Sequence, residues 1–371
     1  GLKGNKFGVA HERTLLTYQH AAALPGLRVV GIDCHIGSQI TEEGPYLDAM
    51  DRMLDLVEAI AYWECFGYRI GRAGRLEAAL ARDLYGADSG AEVVRLYHQD
   101  ADHGLIRLVR WNRPAGPGLG LSPFKVRGGR WSAAEVAQVG RIAAHAKYAR
   151  QAGREIAIFH PDTIPAPDTA RDPFRRTLGG AFEMALLQPL WRQVLFERAD
   201  FPSPLYGRLN PDCLLQGSQF THCCVVTQGV PDEAWTFYDA CLGLKRSGDF
   251  KLRWEEIGTS GKDILGLDAG EGFRMVRFDD QRSSEGAGKR SGRLIFFDFA
   301  ADRPLPDARG ASRPGALGYS LYSWRVDDAE AARERALAAR AGRGSPVVRN
   351  ALGERSFTCH APDGTPGALV Q

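Results

Sequence analysis

Nine histidines and seven cysteines are available for chemistry in this chain, and few stand at a recognisable spacing. No pair among Cys34, Cys65, Cys213, Cys223, Cys224, Cys241 and Cys359 forms C-x-x-C, so the cysteines read as reduced thiols rather than zinc ligands. Eight lysines leave any Schiff-base chemistry only eight candidate amines. His98 and His103 flank the acidic turn 99–102, a spacing open to a mononuclear ion but expected to be exposed. His145 reads as helical, His160 sits in a loop before Pro161-Asp162, and His360 orders a final turn. Glu255 and Glu256 are adjacent on an expected strand, so their side chains take opposite faces and cannot pair as acid and base. Gly258-Thr259-Ser260-Gly261-Lys262 lacks the spacing and ending of a phosphate loop and reads as a β-turn; no serine sits in G-x-S-x-G. Arg107 and Arg110 alternate with apolar residues over 105–110, as do Lys125 and Arg127 over 124–127. Facing inward, these cations suit an anionic carboxylate; facing outward, they are solvated.

The bulk composition narrows the classes. With 371 residues, 44% hydrophobic and 25% charged, the chain has material for two or more cores. A net charge of +2 gives no electrostatic case for nucleic acid or a membrane surface. No apolar run nears the roughly 20 residues of a bilayer-spanning helix, and nothing at the start reads as a signal peptide. Gly1 in first place suggests processing or truncation. A cytoplasmic protein acting on a small molecule is expected, and a homodimer is compatible with the sequence.

Beyond residue 60 the chain repeats itself. Tyr62-Trp63-Glu64-Cys65-Phe66-Gly67-Tyr68 and Tyr238-Asp239-Ala240-Cys241-Leu242-Gly243-Leu244 both read as helix ends with a left-handed glycine, followed by a strand. Ser132-Ala133-Ala134-Glu135 reads as a capping box opening a helix that closes at Gly153; Asp327 or Asp328 caps another, closing at Gly342. Four units of strand, helix and three strands follow. The first uses strands near 68–72, 91–97 and 104–111. The second opens at 124–127 and uses 154–159, 175–178 and 181–188. The third uses 220–227, 251–258, 272–278 and 293–299, and the fourth 318–326, 347–350, 356–360 and 366–370. Residues 201–210 read as a linker; 281–292 and 303–315 read as polar connections.

Residues 1–60 differ in kind. An expected strand at 28–34 leads into His35-Ile36-Gly37-Ser38-Gln39 and a helix at about 43–62. Gly4-Asn5-Lys6-Phe7-Gly8, and above all Gly31-Ile32-Asp33-Cys34-His35-Ile36-Gly37-Ser38-Gln39, closely resemble part of the diaminopimelate decarboxylase family, pyridoxal-phosphate enzymes built on a β/α barrel. The resemblance implies that His35 packs on the cofactor ring and that Ser38 lies near the cofactor. It covers one-sixth of the chain. The family's lysine and glycine-rich phosphate loop have no counterpart here, which argues against pyridoxal phosphate and leaves at most an inactive remnant. Two readings of the segment stay open: it supplies the first strand and helix of the first unit, or the reading frame is spliced or misassembled and its first 60 residues pack poorly.

Phe220-Thr221-His222, then Ala234-Trp235-Thr236-Phe237-Tyr238 and Leu242-Gly243-Leu244, and later Cys359-His360-Ala361-Pro362-Asp363-Gly364, resemble the vicinal-oxygen-chelate superfamily of glyoxalases and extradiol dioxygenases. The resemblance implies an α+β fold of four tandem βαβββ modules paired into two cups: residues 61–200 as a first domain, 201–371 as a second and 1–60 as a decarboxylase-like fragment. Such cups hold a divalent ion (Fe, Mn, Zn or Ni) on opening-strand and closing-strand side chains, for lyase, isomerase or ring-cleaving dioxygenase chemistry. On that pattern His222, on the third unit's opening strand, is the metal-ligating and catalytic candidate of the second cup, and Glu183, placed on the second unit's closing strand, that of the first. Arg107, Lys125, Arg127, Tyr319 and Tyr322 are the substrate-binding candidates. Ala368 stands where the family's glutamate is expected, which favours a metal-free ligand-binding protein as the alternative.

Overall fold

The computed structural model describes residues 9, 13–27, 57–164, 181–198, 207–280, 292–342 and 344–371. After the short helix α1 (Thr14–Ala23) and the helical residues 57–65, called α2, the chain alternates strands and helices. Unit one is β1 (Tyr68–Leu76), α3 (Ala78–Tyr85), β2 (Ala91–His98) and β3 (Ile106–Trp111). Unit two is β4 (Arg130–Val136), α4 (Val139–Gln151), β5 (Ala157–Ile164), β6 (Ala181–Leu187) and β7 (Arg192–Arg198). Unit three is β8 (Gly217–Gln228), a pair of short helical turns over 232–241, β9 (Lys245–Leu252), α5 (Thr259–Leu265), β10 (Phe273–Asp279) and β11 (Arg293–Phe299). Unit four is β12 (Tyr322–Arg325), α6 (Ala329–Ala338), β13 (Val348–Arg349), β14 (Arg355–His360) and β15 (Pro366–Val370).

One strand order recurs. In units two, three and four the opening strand lies parallel to the closing strand (β4 with β7, β8 with β11, β12 with β15), and the other two follow antiparallel. Unit one shows β1-β2-β3, the last three strands of the same pattern; its expected opening strand at 28–34 lies outside the described residues. Gly67 and Gly243 carry φ of +96° and +70°, the left-handed conformation expected where each unit turns from helix into strand. Asp328 caps α6, its carboxylate accepting from the backbone N–H groups of Glu330 (2.9 Å) and Ala331 (3.1 Å).

The opening strands β4 and β8 pair antiparallel, fusing units two and three into one eight-stranded sheet ordered β5-β6-β7-β4-β8-β11-β10-β9. The sheet therefore runs across the expected boundary at residue 200 and joins the second unit to the third. Meanwhile α3 and β2 of unit one meet unit four: Arg95 pairs with Glu354, and the Thr358 hydroxyl donates to the Leu84 carbonyl. The large sheet must curl. Its α5 lies between β9 and β10 in the chain, at one edge, yet packs against β5 and β6 at the other. Helix and curled strands enclose an apolar core that includes Phe124, Trp131, Ala185, Val194, Val226, Ile264, Phe273 and Ile295. On the outer face, Met184, Leu186 and Leu195 pack against α2, α4 and unit one, while Phe278, Leu294 and Phe296 pack against unit four.

Several sequence expectations change. Ser132–Glu135 is no capping box: it lies inside β4, a central strand buried on both faces, where tertiary burial overrides helix-start chemistry. Residues 124–127 form a loop ahead of β4 rather than the opening strand. The second unit closes with β7, which the sequence reading did not foresee, so Glu183 on β6 belongs to the third strand of its unit. Gly258–Lys262 leads into α5 instead of forming a β-turn, and the expected strand at 251–258 is displaced to β9. The expected strand at 175–178 lies outside the described residues.

Candidate functional site

The inner face of the curled sheet is apolar towards α5 and polar at its other end. Alternation places His222 on the same face as Cys224 and Val226, beside Ala133 on β4 and Arg293 on β11. Its Nδ1 lies 2.9 Å from the Thr221 hydroxyl, and its ring centroid 5.9 Å from that of Phe196. The same parity brings Glu135, Arg198, Arg277, Asp279 and Arg293 to this face. Arg198 pairs with Glu135, its guanidinium over the Phe196 ring, and Arg293 grips Asp279 at 2.6 and 3.2 Å. Arg277 donates to the Ser247 hydroxyl at 3.1 Å. Burial holds the His222 pKa well below that of a free imidazole; Arg293, Arg198 and Arg277 push in the same direction against Asp279. The imidazole is therefore neutral at pH 7, set among guanidinium groups. Burial also raises the Glu135 pKa, against the pull of Arg198.

Glu183 stands on β6, three strands from His222 in the sheet order, with β7 and β4 between them. Its carboxylate accepts a hydrogen bond from Ser260 on α5 at 2.7 Å. A cation beside His222 would face the three arginines named above, and no group of three or more His, Cys, Asp or Glu side chains among the described residues could hold a metal. The donor set does not fit a divalent ion at this position.

The other candidates are dispersed. Arg107 reaches the Tyr85 hydroxyl on α3 at 3.3 Å, on the face of unit one turned to unit four. Lys125 is paired with Glu271 at 2.7 Å, and Arg127 bridges to the backbone beside Asp307. Tyr322 pins the β4–β8 seam, its hydroxyl 2.8 Å from the Trp131 carbonyl and 2.9 Å from that of Cys224; Tyr319 packs into the core shared by units three and four. His98 is buried against the Gly217 carbonyl at 3.1 Å, not exposed, whereas His103 contacts Asp102 at 3.0 Å. His35 and Ser38 lie outside the described residues. The sequence reading missed Arg198, Arg293 and their acidic partners. The i, i+2 spacing of Val194, Phe196 and Arg198 was the available signal, and it needed β7 to be recognised first.

Two kinds of relative match this chain. A family model described as the pyridoxal-binding domain of pyridoxal-dependent decarboxylases matches residues 1–70. The first segment is similar to diaminopimelate decarboxylase. The enzyme from Neisseria meningitidis serogroup A is 54% identical over 61 residues, 16% of this chain and 15% of that protein. The one from Archaeoglobus fulgidus is 43% identical over 56 residues, 15% of this chain and 13% of that protein. The chain thus spans only about a seventh of the length of these decarboxylases. Among solved structures, glyoxalase I from Zea mays aligns with a TM-score of 0.47 at 14% identity, over 85% of this chain and 88% of that one. A dioxygenase homologue from Bacillus subtilis aligns with a TM-score of 0.44 at 12% identity, over 84% and 80%. No helix among the described residues is long and apolar enough to cross a membrane.

Proposed function

We propose that this chain is a βαβββ cup protein that binds a small organic anion, a carboxylate of aliphatic or aromatic type, at the His222 end of the large sheet, without a metal ion. The observation that carries the reading is the sign of the field at His222. A buried neutral imidazole among Arg198, Arg277 and Arg293 disfavours a cation and favours an anion. Metal-dependent lyase, isomerase or dioxygenase chemistry would need carboxylates able to ligate an ion beside His222, and Glu135 and Asp279 on that face are each paired with an arginine. The decarboxylase likeness covers 16% of this chain and 15% of that protein, so pyridoxal chemistry does not enter this reading.

Calorimetric titration separates the alternatives. The purified chain is titrated with a panel of carboxylates and, separately, with Mn²⁺, Zn²⁺, Ni²⁺ and Fe²⁺. The expected result is a carboxylate whose affinity falls at least tenfold in Arg198→Gln, with divalent ions bound no better by wild type than by His222→Ala. A stoichiometric ion lost in His222→Ala would overturn the reading in favour of metal chemistry.

A further inference from the structure

A second site lies away from the cup, where unit four meets the seam of the large sheet. Arg130, at the start of β4, is 2% exposed. One terminal nitrogen donates to the Ser312 and Ser320 carbonyls, its Nε has no hydrogen-bond partner among the described residues, and it bonds to no carboxylate there. A guanidinium removed from water with no carboxylate in hydrogen-bond contact is costly; burial pushes its pKa down, and Asp363 opposes this only through space. Beside it lies a cavity of about 20 Å³, lined among others by Arg127, Gly128, Thr227, Arg309 and Asp363. A single water occupies roughly 10–15 Å³ on this measure, so the space takes one small particle. Of the charged groups on its wall, Arg309 is paired with Asp307 at 2.6 Å. The Asp363 carboxyl is occupied by the hydroxyls of Tyr238 (2.9 Å) and Thr365 (2.6 Å), and burial raises its pKa.

We propose that this cavity binds one monatomic anion, a halide such as chloride, against Arg130 and Arg127. The space matches a monatomic anion better than phosphate or a carboxylate, and the site is distinct from the cup in place. Its role is to neutralise the buried cation at the junction of β4, β8 and unit four.

Thermal unfolding of the full chain at constant ionic strength, with sodium methanesulfonate progressively replaced by sodium chloride, tests this. Chloride at tenfold its dissociation constant should raise Tm by about 2 °C and then saturate. Bromide should act alike, and Arg127→Gln should move the midpoint to severalfold higher chloride. A crystal grown in bromide gives a readout independent of any variant: an anomalous peak in the cavity beside Arg130 is expected. Equal Tm in methanesulfonate and chloride, a linear non-saturating response, or a cavity holding only water in the bromide crystal would each overturn the proposal.

Discussion

Replacing His222 by Asn should flatten the acid limb of stability. The imidazole is buried and its folded-state pKa is held well below that of a free histidine. In the unfolded chain it takes a proton near its ordinary value of about 6.5. Below that pH the unfolded state binds more protons than the folded one, so stability falls as pH falls. The loss is at most RT ln(1 + 10^(6.5 − pH)), which is negligible at pH 7.5 and up to about 2 kcal/mol at pH 5.0. Asn keeps a polar group near the position of Nδ1, able to meet the Thr221 hydroxyl, and has no proton to gain. Urea unfolding of both proteins at pH 7.5, 6.0 and 5.0 measures the difference. Glu135, Asp298 and Asp363, whose raised values act in the opposite sense, are common to both proteins and cancel. The gap between wild type and variant should shift by up to about 2 kcal/mol in the variant's favour by pH 5.0. A gap that stays constant across this range would refute the account of a buried, neutral imidazole.

Two further substitutions probe the packing. Phe296→Ala removes a fully buried ring that lies 4.7 Å from Tyr238 and 4.8 Å from Trp235, centroid to centroid; chemical denaturation should show a loss of about 3–5 kcal/mol. Tyr322→Phe deletes the hydroxyl that ties unit four to the Trp131 and Cys224 carbonyls, and calorimetry should record a loss of about 1–2 kcal/mol, a Tm drop of about 2 °C. An unchanged Tm in Tyr322→Phe would mean that unit four does not depend on that tie.

Much of the second half of the chain was legible because its signals are local. Strands β11, β14 and β15 are short apolar or alternating runs bounded by glycine, proline or polar turns, and Asp328 stands directly before an alanine-rich helix. The second unit misled for a local reason as well. Ser132-Ala133-Ala134-Glu135 has the spacing of a helix start, but β4 lies between β7 and β8, and burial of both faces decides the conformation. The run Arg192–Arg198 hides its strand character behind polar ends: Arg192 is buried by donating to the carbonyls of Arg130 (3.1 Å), Ser122 (2.7 Å) and Pro123 (2.9 Å). No local pattern announces a buried arginine satisfied by backbone oxygens. The candidate site was harder still. His222 was visible from its motif, yet its neighbours depend on which strands lie beside it, and the β4–β8 pairing is a contact between residues some ninety positions apart. Glu183 was assigned to the wrong strand of its unit because β7 had not been seen.

The join between units two and three supports both the cup and the grouping around His222, and it can be tested with one engineered thiol. Ser132 faces Cys223 across the β4–β8 pair, where facing Cα atoms lie about 4.5–5.5 Å apart, inside the range a disulfide spans. Mild oxidation of Ser132→Cys followed by peptide mapping under non-reducing conditions should recover one crosslinked pair, position 132 with Cys223. A free thiol at position 132, or a crosslink from it to a cysteine on another strand, would contradict the pairing of the second unit with the third.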